Sequence, residues 1–279
     1  MKDDTTCLHA GYQPKNAEPR VLPIVQSTTY VYDSTEEVAA VFDDPTKSLI
    51  YSRFANPTVM AVEEKIAAIE GGVGAMCTTS GQAATLLTVL NLCSAGDSFV
   101  SSAQVYGGSV NLFAVTLPRL GIECIFVPAD ATDEQIRAAV KPNTKLFFGE
   151  TLANPALSVL DIERWADLAH EAGVPLVVDN TFAPVLCKPF EWGADIVIHS
   201  TSKYMDGHAL QVGGVIVDSG NFDWTNGKFP EFTEPDPSYH GITYVGTYGK
   251  AAFIIKARMQ LKRDFGCYPA AHTAFLLNL

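Results

Sequence analysis

The sequence predicts an α/β fold, a large, mostly parallel seven-stranded sheet with helices on both faces, and three observations carry that expectation. Short apolar runs alternate with amphipathic stretches along most of the 279-residue chain. The runs are apolar at nearly every position, as strands are when both faces of a sheet are covered. The first four are each followed by an amphipathic stretch able to pack back on the sheet as a helix.

The first fifty or so residues read as irregular, with VLPIVQSTTYVYDS extended and interrupted by Pro23. NPTVMAVEEKIAAIEGG is then a punctuated helix. Asn56 stands at its N-cap, Pro57 in its first turn and Gly71-Gly72 at its stop, and Val62, Ile66 and Ile69 mark its buried face. The alternation follows as AMCTT with GQAATLLTVLNLC, SFVSS with GGSVNLFAVTLPRLG, IECIFVP with DEQIRAAV, and KLFFGE with DIERWADLAHEAG. VPLVVDN, ADIVIHS and GGVIVDS complete the strands. TYGKAAFIIKARMQLKRDFG reads as a long helix, and AAHTAFLLNL opens a further apolar segment on which the chain stops. Three stretches are distinguished, over 1–55, 56–245 and 246–279, and the last, ending on an apolar run, reads as unfinished.

Composition narrows the function. The chain is 47% hydrophobic and 18% charged, as in ordinary globular proteins. Asp and Glu outnumber Lys and Arg by 31 to 19, a formal charge of −12 that argues against nucleic-acid partners. An anionic ligand must therefore be held by a few local donors. The 6 cysteines have neither zinc-site nor disulfide-framework spacing and read as buried small hydrophobes in a reducing compartment. No run approaches the roughly 20 apolar residues of a membrane helix, and the first residues lack a signal-peptide pattern. A cytoplasmic protein is expected, without metal or membrane partner.

In an open α/β sheet, ligands gather at the carboxyl ends of the strands. Ser80-Gly81-Gln82, at the start of a helix, offers a hydroxyl, backbone N–H groups and the positive end of a helix dipole to an anion. Gly81 is expected to let the ligand come close to the backbone. A serine in this place is also the ordinary N-cap. Lys203 follows a strand that reads as buried, and a poorly solvated amine is the nucleophile that Schiff-base chemistry requires. Asp179 ends another apolar strand and needs a cationic partner if it is to stay ionised there. An anion seat, a carboxylate and an amine on neighbouring strand ends match the phosphate, ring nitrogen and aldehyde of pyridoxal phosphate (PLP).

The segments YSRFANPT, TTSGQAA, VYGGS, ETLANP, VVDNTFA and HSTSKYMDGH, in this order, resemble the Cys/Met-metabolism family of PLP-dependent enzymes, of fold type I. The resemblance runs from Thr6 to the end and implies roles residue by residue. Lys203 would form the Schiff base and shuttle protons, Asp179 would pair with the ring nitrogen, and Tyr106 would stack on the ring and assist proton transfer. Ser80, Gly81, Gln82, Ser200 and Ser202 would surround the phosphate. Tyr51 and Arg53 would reach the phosphate of the neighbouring subunit, making the site a property of a homodimer or homotetramer. Asn154 would lie near the ring oxygen with Glu150 supporting it, and Thr181 would touch the ring face or Asp179.

Within the family, TTSGQAA and GGVIVDSGNFDW are most similar to O-acetylhomoserine sulfhydrylases, whereas methionine γ-lyases more often carry methionine in place of Gln82. Sulfide or a thiol would then be the second substrate. Other members of the family, including methionine γ-lyase and the cystathionine enzymes, stay open, as does a PLP-binding protein without turnover. A nucleotide-binding Rossmann protein is disfavoured, since no GxGxxG turn follows the first strand. Asp206-Gly207-His208-Ala209 departs from the family's GGHG-like stretch, and the carboxylate-binding arginine of the family's C-terminal domain has no counterpart in this chain.

Overall fold

Asn56 starts its helix as its position in the sequence requires: in a computed structural model describing residues 2–43 and 49–279, its side chain accepts the amides of Thr58 and Val59. Pro57 occupies the first turn of this helix, Pro57–Glu70, and Gly71 closes it in the left-handed conformation at φ 81°. All seven apolar runs are strands: β1 (Gly74–Thr78), β2 (Ser98–Ser102), β3 (Glu123–Val127), β4 (Thr144–Glu150), β5 (Leu176–Asp179), β6 (Ile196–His199) and β7 (Gly214–Asp218).

They form one sheet in the order β1-β7-β6-β5-β4-β2-β3. Strand β7 runs antiparallel to both neighbours and every other pairing is parallel, so six strands point one way and β7 alone opposes them. The carboxyl ends of β1, β4, β5 and β6 therefore meet at one edge. Register fixes the neighbours there: Glu150 lies opposite Asp179, Asp179 opposite Ile198, and Thr78 opposite Gly214.

The uniform apolarity of the strands has the expected cause. Met76, Ile196, Ile198 and Ile216 enter one core cluster, with Leu87, Phe99, Phe113, Phe147 and Phe253. Their strand neighbours Ala75, Cys77, Val197, Val215 and Val217 enter a second, with Val59, Val62 and Ile66 of the helix Pro57–Glu70. Successive side chains point to opposite faces, and each face is buried.

Two readings of the sequence need correction. The N-terminal region, taken as irregular, contains helices Asp3–His9 and Thr35–Asp43; its residues 44–48 lie outside the described ones. Neither helix has the long apolar period that would have announced it. The helix expected over 247–266 is broken at Gly249 (φ 53°): a short helix Tyr244–Tyr248 ends there, and the chain resumes through a tight turn at Gly249–Ala251, the helix Ala252–Lys256, a wide π turn at Ala257–Lys262 and Arg263–Phe265. All six cysteines are free thiols, with Cys77 and Cys93 buried and the other four half-buried. Among the described residues, no helix is long and apolar enough to cross a membrane.

Candidate active site

A cavity of about 700 Å³ opens over the carboxyl ends of β1, β4, β5 and β6. Its wall includes Ser80, Gly81, Gln82, Tyr106, Glu150, Asn154, Asp179, Thr181, Ser200, Ser202 and Lys203. Ten residues expected to share a site thus do so, with Glu150 beside them. Tyr51 and Arg53 are elsewhere: they line a separate cavity with Gln26, Ser27 and Tyr268. The Arg53 guanidinium donates to the Arg263 carbonyl and lies over the Tyr51 ring.

The anion-binding corner is built from two segments pressed together. Ser80 is the N-cap of the helix Gly81–Leu92, its hydroxyl accepting from the Ala83 amide at 3.1 Å. Among the described residues no acceptor engages the amides of Gly81 and Gln82, which the first turn of a helix leaves unpaired. They are donors available to an anion. The Ser202 hydroxyl is tied reciprocally to Gly213, accepting its amide at 3.0 Å and donating to its carbonyl at 3.2 Å.

Gly81 has a second reason beside the one expected. A Cβ there would meet Cβ of Ser200 at 2.6 Å and its Cα at 2.9 Å, so the glycine admits the neighbouring segment, not only a ligand. Gly214 does the same from β7, where a Cβ would come within 2.2 Å of the Ser80 carbonyl oxygen.

Asp179 ends β5, half-buried, and its Oδ1 accepts from both the amide (2.9 Å) and the hydroxyl (2.5 Å) of Thr181. Burial pushes its carboxyl up from the usual range, while the Thr181 bonds and His199 pull it back. Glu150, 6% exposed, is pushed up to about 7 by burial and by the charge of Asp179. Beneath this edge His199 Nε2 meets Glu70 Oε1 at 2.7 Å, with both side chains fully buried.

Lys203 corrects a further expectation. It is exposed, because β6 ends at His199 and the lysine stands four residues later, in a turn above the buried sheet. That turn is pinned by bonds from the Asp206 amide to the Thr201 carbonyl (3.1 Å) and from the Gly207 amide to the Lys203 carbonyl (2.9 Å). The unusual Asp206 braces the next turn, where its buried Oδ2 accepts the amides of His208 at 3.2 Å and Leu210 at 2.9 Å. Between them Ala209 sits at φ 56°, a conformation that favours glycine, and lines the cavity.

Two residues were missed by reading the sequence. Gly108 clears space for Tyr106, since a Cβ there would meet the ring at 2.4 Å. Gln211, buried, donates to the Thr201 carbonyl at 2.9 Å and braces the lysine turn. VYGGS hinted at the first; nothing in the sequence marks the second.

The residues present fit pyridoxal phosphate. Unpaired helix-start amides suit its phosphate, a half-buried carboxylate with one oxygen already braced suits its ring nitrogen, and an accessible amine suits its aldehyde. Comparison with known proteins agrees. A sequence model described as Cys/Met metabolism PLP-dependent enzyme matches residues 4–279. O-acetyl-L-homoserine sulfhydrylase of Corynebacterium glutamicum is 47% identical over 98% of this chain and 64% of its own length. The same-named protein of Leptospira meyeri is 45% identical over 95% of this chain and 62% of its own. The chain thus spans less than two thirds of these curated relatives. The crystal structure of a putative O-acetylhomoserine (thiol)-lyase from Campylobacter jejuni, with N'-pyridoxyl-lysine-5'-monophosphate, superposes with a TM-score of 0.94. It is 32% identical, and the match covers 100% of this chain and 70% of that one.

Proposed function

The chain belongs to the Cys/Met metabolism family of PLP-dependent enzymes, and from that membership we propose that it serves γ-replacement on O-acetyl-L-homoserine. Sulfide or methanethiol displaces acetate, giving homocysteine or methionine: the Cγ–O bond breaks, a Cγ–S bond forms, and the thiol proton leaves with acetate. The observation that carries this reading is the meeting of Lys203, Asp179 and the unpaired amides of Gly81 and Gln82 in one cavity. The choice of substrate rests on the names of the relatives.

Pyridoxal phosphate, when bound, supplies an electron sink for negative charge developing beside the substrate nitrogen. The remaining roles belong to the protein. The Gly81 and Gln82 amides and the Ser200 hydroxyl would hold its phosphate. Asp179, braced by the Thr181 hydroxyl, would hold a proton on its ring nitrogen. Lys203 would be the amine that takes up its aldehyde and would move protons between substrate carbons, for which its exposed place in the cavity leaves it free. Tyr106 would lie against its ring and Asn154 near its ring oxygen.

The whole protein works as a homodimer or homotetramer in the cytoplasm. The arm over 1–55 serves a neighbouring subunit, 56–245 binds the cofactor, and 246–279 leads into a smaller domain. In support, Tyr51 and Arg53 line a cavity apart from that of Lys203, as residues serving a neighbour's phosphate do.

The test is to supply the full-length protein with PLP, O-acetylhomoserine and sulfide. Homocysteine and acetate in equal amounts are expected; ammonia and a 2-oxo acid formed without added thiol would replace this reading with a lyase. Borohydride reduction and peptide mapping should find the cofactor on Lys203, and Lys203→Ala should abolish that label.

A further inference from the structure

Two loops, one following β2 and one following β4, meet on a single buried carboxylate. Glu150 closes β4, in register with Asp179 on β5. Its Oε1 accepts the Tyr106 amide at 2.6 Å and its Oε2 accepts the Asn154 amide at 3.2 Å. A second link joins the same loops, from the Ser158 hydroxyl to the Gln104 side chain. We propose that Glu150 is a positioning residue, holding Tyr106 and Asn154 in one fixed relation to Asp179.

The chemistry of the side chain selects it for this role. Two N–H groups arriving from different loops are met by two separate oxygens, which a carboxyl side chain provides and a side-chain amide does not. Glutamine would turn its NH₂ toward one of the two amides. The carboxylate is costly where it stands, since burial and the neighbouring Asp179 both resist its charge. A group needed only to fill space there would be better neutral. Tyr106 is constrained from both sides: its amide is held by Glu150, and its ring lies over Gly108, where a Cβ would collide with it. On the other side, the Ala153 amide bonds the Ser158 carbonyl and the Leu157 amide the Ala153 carbonyl, closing the turn that carries Asn154. Glu150 thus joins two internally braced loops and sets the distance between them.

What the two loops do rests on the proposed function, but the linkage itself does not, and the experiment separates the two. Glu150→Gln is made in the full-length protein with PLP, and amide hydrogen exchange is followed in peptides containing Tyr106 and Asn154. Faster exchange in both segments is expected, although they are far apart in sequence, together with weaker visible circular dichroism of the bound cofactor. Turnover should fall on the order of 10- to 100-fold, the size expected from losing a hydrogen bond to a charged group, with a smaller change in KM. Glu150→Asp, which keeps two acceptor oxygens, should recover part of the dichroism. Wild-type exchange in both segments and unchanged dichroism in Glu150→Gln would overturn the proposal. If neither variant folds, the native protein decides: both amides should exchange slowly, and rapid exchange at either overturns the linkage. A native protein that binds no PLP would defeat the proposed function, while its exchange pattern would still decide the role of Glu150.

Discussion

The hydroxyl of Thr181 donates to Asp179 Oδ1 at 2.5 Å and accepts the amide of Ser200 at 2.8 Å. One side chain therefore connects the carboxylate on β5 to the segment after β6 that carries Lys203. Burial raises the proton affinity of Asp179, and the two Thr181 bonds lower it. Thr181→Val removes the hydroxyl bond and keeps the shape. Asp179 should then hold its charge less well, and PLP should bind about 10-fold more weakly, the worth of one hydrogen bond to a charged group. Thr181→Ser should behave as the native protein. A PLP titration followed by absorbance decides, and equal affinities for native protein and Thr181→Val would remove Thr181 from this role.

Gly81→Ala tests the packing of the anion corner. The new methyl would press on the backbone and Cβ of Ser200, neither of which is the end of a flexible side chain. Overpacking of this kind costs about 1–3 kcal/mol. The melting temperature should fall and PLP should be lost more readily on dialysis. Stability at the native level would mean that the Ser200 segment moves aside freely.

Much of this architecture was legible because it is local. Seven apolar runs gave seven strands, and Asn56, Pro57 and Gly71 delimited their helix. Lys203 and Asp179 converged because strand ends in a parallel sheet share an edge. Other features depend on contacts distant in sequence. The space beneath the Tyr106 ring, the bracing of Thr201 by Gln211 and the double acceptance by Glu150 exist only once loops meet. The exposure of Lys203 was misjudged for a related reason: a buried strand says nothing of how far the chain climbs after it ends.

Asp206 and Ala209 should be energetically coupled. The carboxylate fixes the amides on either side of Ala209, and Ala209 occupies a left-handed conformation that costs an L-residue about 1–2 kcal/mol. Asp206→Ala should destabilise the protein, and less so in an Ala209→Gly background, where the conformation is free of that cost. Denaturant unfolding of the two single variants and the double variant should give a coupling of about 1 kcal/mol. Strict additivity would show that Asp206 does not hold Ala209 in place.

Asp218 sets a pH dependence of stability away from the cavity. It ends β7 opposite Gly74, at the other edge of the sheet from Lys203. It is 1% exposed, its Oδ1 accepts the Gly220 amide at 2.8 Å, and its Oδ2 has no partner among the described residues. Burial pushes its carboxyl up to about 7 from 3.8. The folded state therefore binds the proton more tightly than the unfolded chain. Between about pH 4 and 7 the unfolded chain has released it and the folded protein has not, so stability falls as pH rises through this window and levels off above it. Glu150, also raised to about 7, acts in the same direction. The loss attributable to Asp218 is on the order of 4 kcal/mol. Asp218→Asn, which cannot titrate, should reduce the slope of melting temperature against pH between about pH 5 and 7 to the part due to Glu150, and leave PLP binding unchanged. A variant whose profile keeps the native slope would show that Asp218 is ionised in the folded protein throughout.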